Sequence, residues 1–140
     1  MKLHESARAL IGAGADATMV TLNPDGSQQI SVVWVALRAT PDGDELVSGH
    51  LGEYKKIRNL RRDNRVALTI LSQERGEVMR PYLAINGTAR VEEGGAPELL
   101  AELAATLASP GVRFPPEDAP PGLLIRTRIE KVGGIGPWAG

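Results

Sequence analysis

The sequence predicts a mainly β protein, a small closed or partly closed antiparallel barrel with minor α-structure. Six segments have the apolar or alternating pattern of strands, and tight turns join most of them. The NPDG turn at 23–26 is the clearest, because proline fixes φ at its second position and glycine accepts a positive φ. With 140 residues, 42% of them hydrophobic, the chain fits a single domain, 1–140.

Each predicted strand is rich in β-branched or large apolar residues. Turn signals or charged segments separate most of these strands, and the last one alternates apolar and charged residues as a half-exposed strand does. The six strands are ATMVTL (17–22), QISVVWVALR (29–38), LVSG (46–49), RVALTILS (65–72), YLAINGTARVEE (82–93) and LLIRTRIEKV (123–132).

Three segments predict helices. LHESARALIG (3–12) is amphipathic and closes on glycines, and APELLAELAATLA (96–108) places leucines at helical spacing. The third is the basic segment KKIRNLRRDNR (55–65), in which Ile57 and Leu60 share one side of the helix. The residues on the opposite side are Lys55, Arg58, Asn59 and Arg62.

The basic segment concentrates positive charge in a chain that is otherwise acidic. It holds six Lys and Arg, whereas the whole chain has 16 basic and 17 acidic residues and a net charge of -1. A solvated helix face is the common explanation for such a run. However, residues 54–62 contain no acid, so unpaired cations there favour a bound anion such as a phosphate or a polycarboxylate.

Composition and motifs argue against several kinds of site. The chain has no cysteine, which fits a cytoplasmic location, and charged residues interrupt its N-terminal segment, so we expect neither a signal peptide nor a membrane span. His4 and His50 lie far apart without a thiol partner, which argues against a metal site. Because no nucleophile-elbow or phosphate-loop motif occurs, we expect reactive chemistry to come from a bound cofactor.

Four motifs, taken in their linear order, carry a resemblance to a known family. They are TLNPDG (21–26), VVWV (32–35), KIRNLRRD (56–63) and NGTA (86–89). Together they resemble the pyridoxamine 5'-phosphate oxidase-like split-barrel superfamily, and within it the small deazaflavin (coenzyme F420)-dependent reductases. The resemblance runs from about residue 5 to 138. It implies a six-stranded antiparallel split β-barrel of the FMN-binding type, which forms a homodimer with cofactor sites along its interface.

The resemblance also implies which residues contact the cofactor. The basic helix would hold its phosphate through Lys56 and Arg58, with Lys55 close by. The second strand would lie along the ring system, the end of the third strand would hydrogen-bond to the ring or to the ribityl-type chain, and two residues of the partner subunit would line the mouth of the site. The second-strand residues are Val32, Val33 and Trp34, and the third-strand residues are Ser48 and Gly49. The residues of the partner subunit are Arg80 and Tyr82.

Some of these residues also have purely structural explanations. Trp34 fits a core position on an apolar strand, Ser48 fits a strand end, and His50 fits a loop. Tyr82 begins a strand after Arg-Pro, where side chains lie at a rim. Tyr82, His50 or water is the candidate proton donor, and no catalytic residue is assigned. Trp138, in an irregular glycine-rich tail, is expected to fold over the site or the partner subunit.

Three classes of function remain open. The first is an oxidoreductase that transfers a hydride from reduced F420, or alternatively from FMN, to an electron-poor small organic substrate. The second is a non-catalytic barrel that binds a flavin, a deazaflavin or a tetrapyrrole. The third, a nucleic-acid-binding barrel, is disfavoured because aromatics are only 4% of the chain and base stacking requires them among the cations. We therefore expect a small-molecule substrate, with no nucleic acid and no membrane as partner.

Overall fold

The computed structural model describes residues 1–139 and confirms the predicted barrel. Within these residues the strands are β1 (Ala15–Leu22), β2 (Gln28–Thr40), β3 (Gly43–His50), β4 (Arg65–Leu71), β5 (Tyr82–Glu93) and β6 (Leu123–Ile135). The helices are α1 (Glu5–Ile11), α2 (Lys55–Arg62), α3 (Ala96–Leu107) and a 3-10 turn (Pro137–Ala139). The strands pair antiparallel and close in the order β1-β2-β3-β6-β5-β4. No helix among these residues is long and apolar enough to cross a membrane.

The strands extend further than the sequence pattern predicts. β2 and β3 run into the turn between them, so that Thr40 pairs with Gly43. β6 continues to Ile135, which pairs with Tyr82 of β5. The prediction that the glycine-rich tail, 133–140, has no regular structure is therefore wrong for residues 133–135 and for the 3-10 turn, and residue 140 lies outside the described residues. Pairing with β5 holds this glycine-rich segment in a strand, although glycine has little intrinsic preference for one.

The interior of the barrel is filled by the side chains that alternate inward along the strands. The apolar faces of α1 and α2 belong to the same cluster, and Ile57 and Leu60 of α2 are buried in it as predicted. The large strand residues that are almost fully buried there are Met19, Val35, Leu46, Ile70, Leu83, Ile85, Ile125 and Ile129. This continuous core positions α2 directly against the barrel.

Helix α3 packs on a second, smaller apolar cluster formed with β2, β3 and β6. The buried members of this cluster are Ala36, Val47, Leu99, Leu103 and Leu124. The helix approaches the end of β3 closely, because a Cβ at Gly49 would lie 3.2 Å from Leu100 Cγ and 3.3 Å from the Ala96 carbonyl oxygen. The end of β3 is therefore flanked by α3 and followed by α2.

Candidate functional site

A cavity of about 480 Å³ lies where β2, the end of β3, the start of α2 and α3 meet. This volume is within the range of small-molecule sites. Residues that the family resemblance implies for the cofactor form much of its lining: Val32, Val33, Trp34, Gly49 and Lys56. The other lining residues are His50, Leu100, Ala108, Val112 and Phe114.

The alternation of β2 sets the apolar side of the cavity. Val32 is 69% exposed, whereas Val33 is buried in the barrel core. Trp34 is half-buried against the α3 cluster, and its ring meets the ring of Phe114 edge-on, with centroids 5.9 Å apart and an interplanar angle of 88°. Trp34 therefore combines the packing role predicted for it with a place on the cavity lining.

His50 is a buried strand residue, and its prediction as a loop residue is wrong. It ends β3, pairs with Leu123 and is 5% exposed. Its Nε2 lies 2.8 Å from Oγ of Ser48, which is buried and does not line the cavity. Burial, and secondly the charge of Lys56, lower the pKa of His50 to about 4. The imidazole is therefore neutral at pH 7, where it remains a hydrogen-bonding group but a weak proton donor.

Part of the positive charge around α2 is neutralised within the chain, contrary to the interpretation that these cations are unpaired. Arg61 forms ion pairs with Glu53 and Glu93, and Arg65 pairs with Asp63 at 2.7 Å. Glu53 and Asp63 flank the acid-free window, and Glu93 ends β5. The fold brings Glu93 to the helix, which its distance along the sequence does not indicate.

Two more arginines of α2 are directed at backbone carbonyls. Arg62 donates to the Leu22 carbonyl oxygen, and Arg58 donates to the Glu53 carbonyl oxygen at 2.9 Å. Arg58 is exposed and does not line the cavity. Its proposed contact with a phosphate therefore stays a prediction.

Lys56 is the cation that the fold places on the cavity lining. Within residues 1–139, neither Lys55 nor Lys56 forms a salt bridge. Lys55 is exposed, whereas Lys56 is half-buried with its Nζ 5.3 Å from the centroid of the Tyr54 ring. Burial lowers the pKa of Lys56 from its usual value. An ammonium group partly withdrawn from water without a carboxylate partner suits an anionic ligand.

The buried position of Asn59 corrects the helical-wheel prediction, which put this residue on the exposed side of α2. Asn59 is 2% exposed, and its Nδ2 donates to Thr21 Oγ1 at 3.1 Å and to Asn23 Oδ1 at 3.0 Å. These bonds tie α2 to the end of β1 and to the turn that follows it. They help to fix the orientation of the helix that carries Lys56.

Three other predicted residues lie away from this cavity in their own chain. Arg80 is exposed in the loop before β5, and Tyr82 is half-buried at the first residue of β5. Their proposed role at the mouth of a partner's site stays a prediction. Trp138 packs against its own barrel core and donates its Nε1 hydrogen to the Gly133 carbonyl oxygen at 3.1 Å. Trp138 does not cover the cavity of its own chain, contrary to one of the two expectations for it.

Helix α3 contributes to the cavity lining although the sequence did not indicate it, and the loop 109–122, which was expected to shape the pocket, contributes residues that the sequence did not single out. Leu100 was recognised only as part of an apolar helix face, and Ala108, Val112 and Phe114 were not considered. Phe114 is the one phenylalanine of the chain and stands in a proline-rich loop.

Solved structures with a similar fold include proteins named for F420 and for FMN. An F420 reductase superimposes with a TM-score of 0.74 and 20% identity, over 90% of this chain and 94% of that chain. An FMN-binding protein from Syntrophomonas wolfei superimposes with a TM-score of 0.67 and 18% identity, over 94% of this chain and 85% of that chain. HupZ of Group A Streptococcus superimposes with a TM-score of 0.67 and 15% identity, over 98% of this chain and 97% of that chain. At these identities the likeness shows the fold alone.

No curated protein sequence matches the chain. The sequence model of one family, described as pyridoxamine 5'-phosphate oxidase, matches residues 3–135. This match runs from the residues before α1 to the end of β6 and so includes all six barrel strands of the described residues. The chain therefore belongs to the pyridoxamine 5'-phosphate oxidase family.

Proposed function

We propose that the protein is a cytoplasmic oxidoreductase that binds F420 in the cavity beside Lys56 and reduces an electron-poor small organic compound. The family and the flavin-type neighbours support an oxidoreductase role of this general kind. The observation that carries the proposal is the half-buried Lys56 ammonium group, which lines the cavity and has no carboxylate partner within residues 1–139.

The cavity residues fit a cofactor that has a flat ring and a phosphate. The stretch from Val32 to Trp34 offers an apolar surface to the ring, and Lys56 offers a positive charge to the phosphate. The neutral His50 lies on the same lining and can hydrogen-bond to a ring carbonyl or a ring N–H group. When bound, the cofactor supplies hydride transfer, while the protein orients it and excludes water from it.

Two exposed cations support F420 rather than FMN. Lys55 and Arg58 lie on the same helix as Lys56, and neither pairs with a carboxylate within the described part of the chain. F420 carries an acidic oligoglutamate tail beyond its phosphate, whereas FMN ends at the phosphate. Arg61 already pairs with Glu53 and Glu93, and Arg62, at the other end of the helix from Lys56, is directed at the Leu22 carbonyl oxygen. The proposed tail site therefore depends on Lys55 and Arg58.

We also propose that the protein is a homodimer whose interface borders the cavity. The outward side chains of Ile30 and Val32 on β2 are 65% and 69% exposed, and Val32 also lines the cavity. Contiguous apolar surface of this kind commonly marks an interface. A second copy that covers this face lies next to the cavity and can bring its Arg80 and Tyr82 to the mouth, as the family resemblance implies.

A non-catalytic role in cofactor binding is the alternative. It is favoured by the state of the two candidate proton donors, because His50 is neutral and Tyr82 lies outside the cavity of its own chain. FMN remains the alternative cofactor. Both questions are open to direct measurement.

Titration of the purified protein with F420 and with FMN, followed by cofactor fluorescence, tests the binding proposal. We expect F420 to bind more tightly than FMN. Single-turnover oxidation of bound, reduced F420 by a panel of quinones, enones and nitro compounds then tests catalysis. Binding of neither cofactor contradicts the proposal, and binding with oxidation only at the rate seen in buffer supports the non-catalytic alternative.

A further inference from the structure

Another cavity, of about 410 Å³, lies at the other end of the barrel. Its lining comes from α1, from the loop between β4 and β5 (residues 72–81) and from the 3-10 turn after β6. The end of β4 and the end of β6 lie together there, whereas α2 precedes the start of β4. We call this space the tail cavity. It shares no lining residue with the cavity beside Lys56, and its volume is within the range of small-molecule sites.

An aromatic side chain, Trp138, forms part of the lining of the tail cavity. Its Nε1 hydrogen donates to the Gly133 carbonyl oxygen and its ring packs against the barrel core, so its position is fixed within the chain. Because the indole N–H is already engaged, the part of the ring that meets the cavity is apolar. Leu10, Pro81 and Pro137 extend this apolar surface. The tail cavity therefore has an apolar and partly aromatic side that exists before a ligand arrives.

The charge of the tail cavity is negative. Its polar lining residues are Ser6, Ser72, Gln73 and Glu74. Glu74 is the one ionisable residue among the described residues that line it, and its carboxylate forms no salt bridge within residues 1–139. The Glu74 backbone N–H donates to Ser72 Oγ at 3.1 Å, which orients the start of the loop. Arg8, on the same helix as Ser6, pairs with Asp44 instead. The cavity therefore presents a carboxylate that no cation of the described chain neutralises.

These groups suit a positively charged ligand. A carboxylate attracts a cation and repels an anion, and an indole ring attracts a cation that lies over its face. The apolar residues gain from contact with hydrocarbon groups, which an inorganic cation lacks. We propose that the tail cavity is a binding site for an organic cation with an apolar body, such as a quaternary ammonium compound. The proposal rests on residues outside the cavity beside Lys56 and does not depend on the proposed function.

Binding of quaternary ammonium probes to the full chain tests the tail cavity. The chain has two tryptophans, so a Trp34→Phe background leaves Trp138 as the only one that fluoresces. We expect benzyltrimethylammonium to change this fluorescence saturably. Choline and 3,3-dimethyl-1-butanol, which have the same shape but differ in charge, are then compared by competition with this probe. Choline should bind at least about fivefold more tightly than the alcohol, because only choline is attracted to the indole ring and the carboxylate.

Two glutamates of the same loop provide a matched pair of variants. Glu74→Gln should weaken benzyltrimethylammonium binding about fourfold, as expected for loss of an exposed ion pair, and should leave binding of the alcohol unchanged. Glu77→Gln removes the same charge from an exposed position that does not line the tail cavity, so its effect should stay below about 1.5-fold. Trp138→Leu should weaken binding about tenfold, measured by equilibrium dialysis because this variant lacks the fluorescent reporter. The glutamate pair decides the question if circular dichroism shows that Trp138→Leu is misfolded.

Several results would overturn the organic-cation site. They are the absence of a saturable change with benzyltrimethylammonium, equal affinity for choline and the alcohol, and equal losses of affinity in Glu74→Gln and Glu77→Gln. Saturating F420 should leave the affinity for benzyltrimethylammonium, measured by equilibrium dialysis, unchanged. Displacement of the probe by F420 also overturns the proposal, because the tail cavity then belongs to the cofactor site. Failure of the wild type to bind F420 overturns only the proposed function, because the probe titrations contain no cofactor.

Discussion

The Oγ of Ser48 lies 2.8 Å from Nε2 of His50, and both side chains are buried at the end of β3. These residues are two positions apart on a strand, so their side chains lie on the same face of the sheet. The contact engages one nitrogen of an imidazole that lines the cavity. Because Nε2 is engaged by Ser48, Nδ1 is the ring nitrogen left to meet a ligand.

The state of His50 predicts a specific loss of stability in acid. Its pKa is about 4 in the folded protein, against 6.5 for an unperturbed histidine, mainly because of burial. Between these values the unfolded chain binds a proton that the folded chain does not, so the free energy of unfolding falls as the pH falls from about 6.5 toward 4. We expect this group to account for a loss on the order of 2–3 kcal/mol between pH 7 and pH 4.5.

Urea unfolding of the wild type and of His50→Gln at both pH values measures this contribution. Protonation of carboxylates lowers the stability of both proteins, so the difference between them isolates His50. We expect a smaller acid loss in His50→Gln. An identical pH dependence of the two proteins contradicts the neutral, buried histidine.

Lys56 should dominate the binding of the cofactor phosphate. We expect Lys56→Ala to weaken F420 binding by about 1.5–3 kcal/mol, the usual contribution of a charge-assisted hydrogen bond. Arg61→Ala is the matched control, because Arg61 lies on the same helix but pairs with Glu53 and Glu93. Its effect should stay within about 0.5 kcal/mol. Fluorescence titration measures the F420 affinity of both variants. Equal losses of affinity would indicate a general effect of charge instead of a contact at Lys56.

Asn59 should matter for stability, although it lies in a highly charged helix. Asn59→Ala removes the bonds to Thr21 and Asn23 and leaves a buried cavity, so we expect a loss of about 2–3 kcal/mol. Asn64→Ala, at an exposed position, should change stability by less than about 0.5 kcal/mol. Urea unfolding at pH 7 compares the two variants. A small effect of Asn59→Ala would show that the hydrogen bonds of Asn59 contribute little to the attachment of α2.

The outer face of β2 should control the oligomeric state. We expect the wild type to be a dimer in solution and Ile30→Glu to be a monomer, because a carboxylate cannot be buried there without a partner. Ala105→Glu introduces the same charge on the exposed side of α3 and should leave the dimer intact. Light scattering coupled to size-exclusion chromatography measures the masses. A monomeric wild type, or a dimeric Ile30→Glu, contradicts the proposed interface.

The barrel was predictable because its signals are local. The turn at 23–26 shows this clearly: Gly26 adopts a positive φ of 87°, and its N–H donates to the Asn23 carbonyl oxygen at 2.9 Å. Because few residue types other than glycine adopt a positive φ, the glycine in this turn predicts that conformation by itself. The period of two along the strands likewise identifies the side chains that face inward.

The errors in the sequence interpretation concern interactions between distant segments. Asn59 has the polarity of an exposed helix residue, but its partners Thr21 and Asn23 lie on another element and make its burial favourable. Residues 133–135 have the composition of a loop, but pairing with β5 satisfies their backbone. Polarity and propensity describe a residue alone, whereas burial depends on what the rest of the chain brings to it.

The candidate site was likewise predictable in part from the sequence, while the rest depends on the folded chain. Composition and order along the chain establish that the cations are concentrated after the third strand, and the resemblance to a known family implied the split barrel. The folded chain establishes which cations remain available: Glu53 and Glu93 bind Arg61, while Lys56 faces the cavity unpaired within residues 1–139. It also brings Phe114 to Trp34 across 80 residues. Ion pairs and apolar contacts act over a few ångströms, so they depend on distances in space, which residue types and their spacing along the chain do not specify.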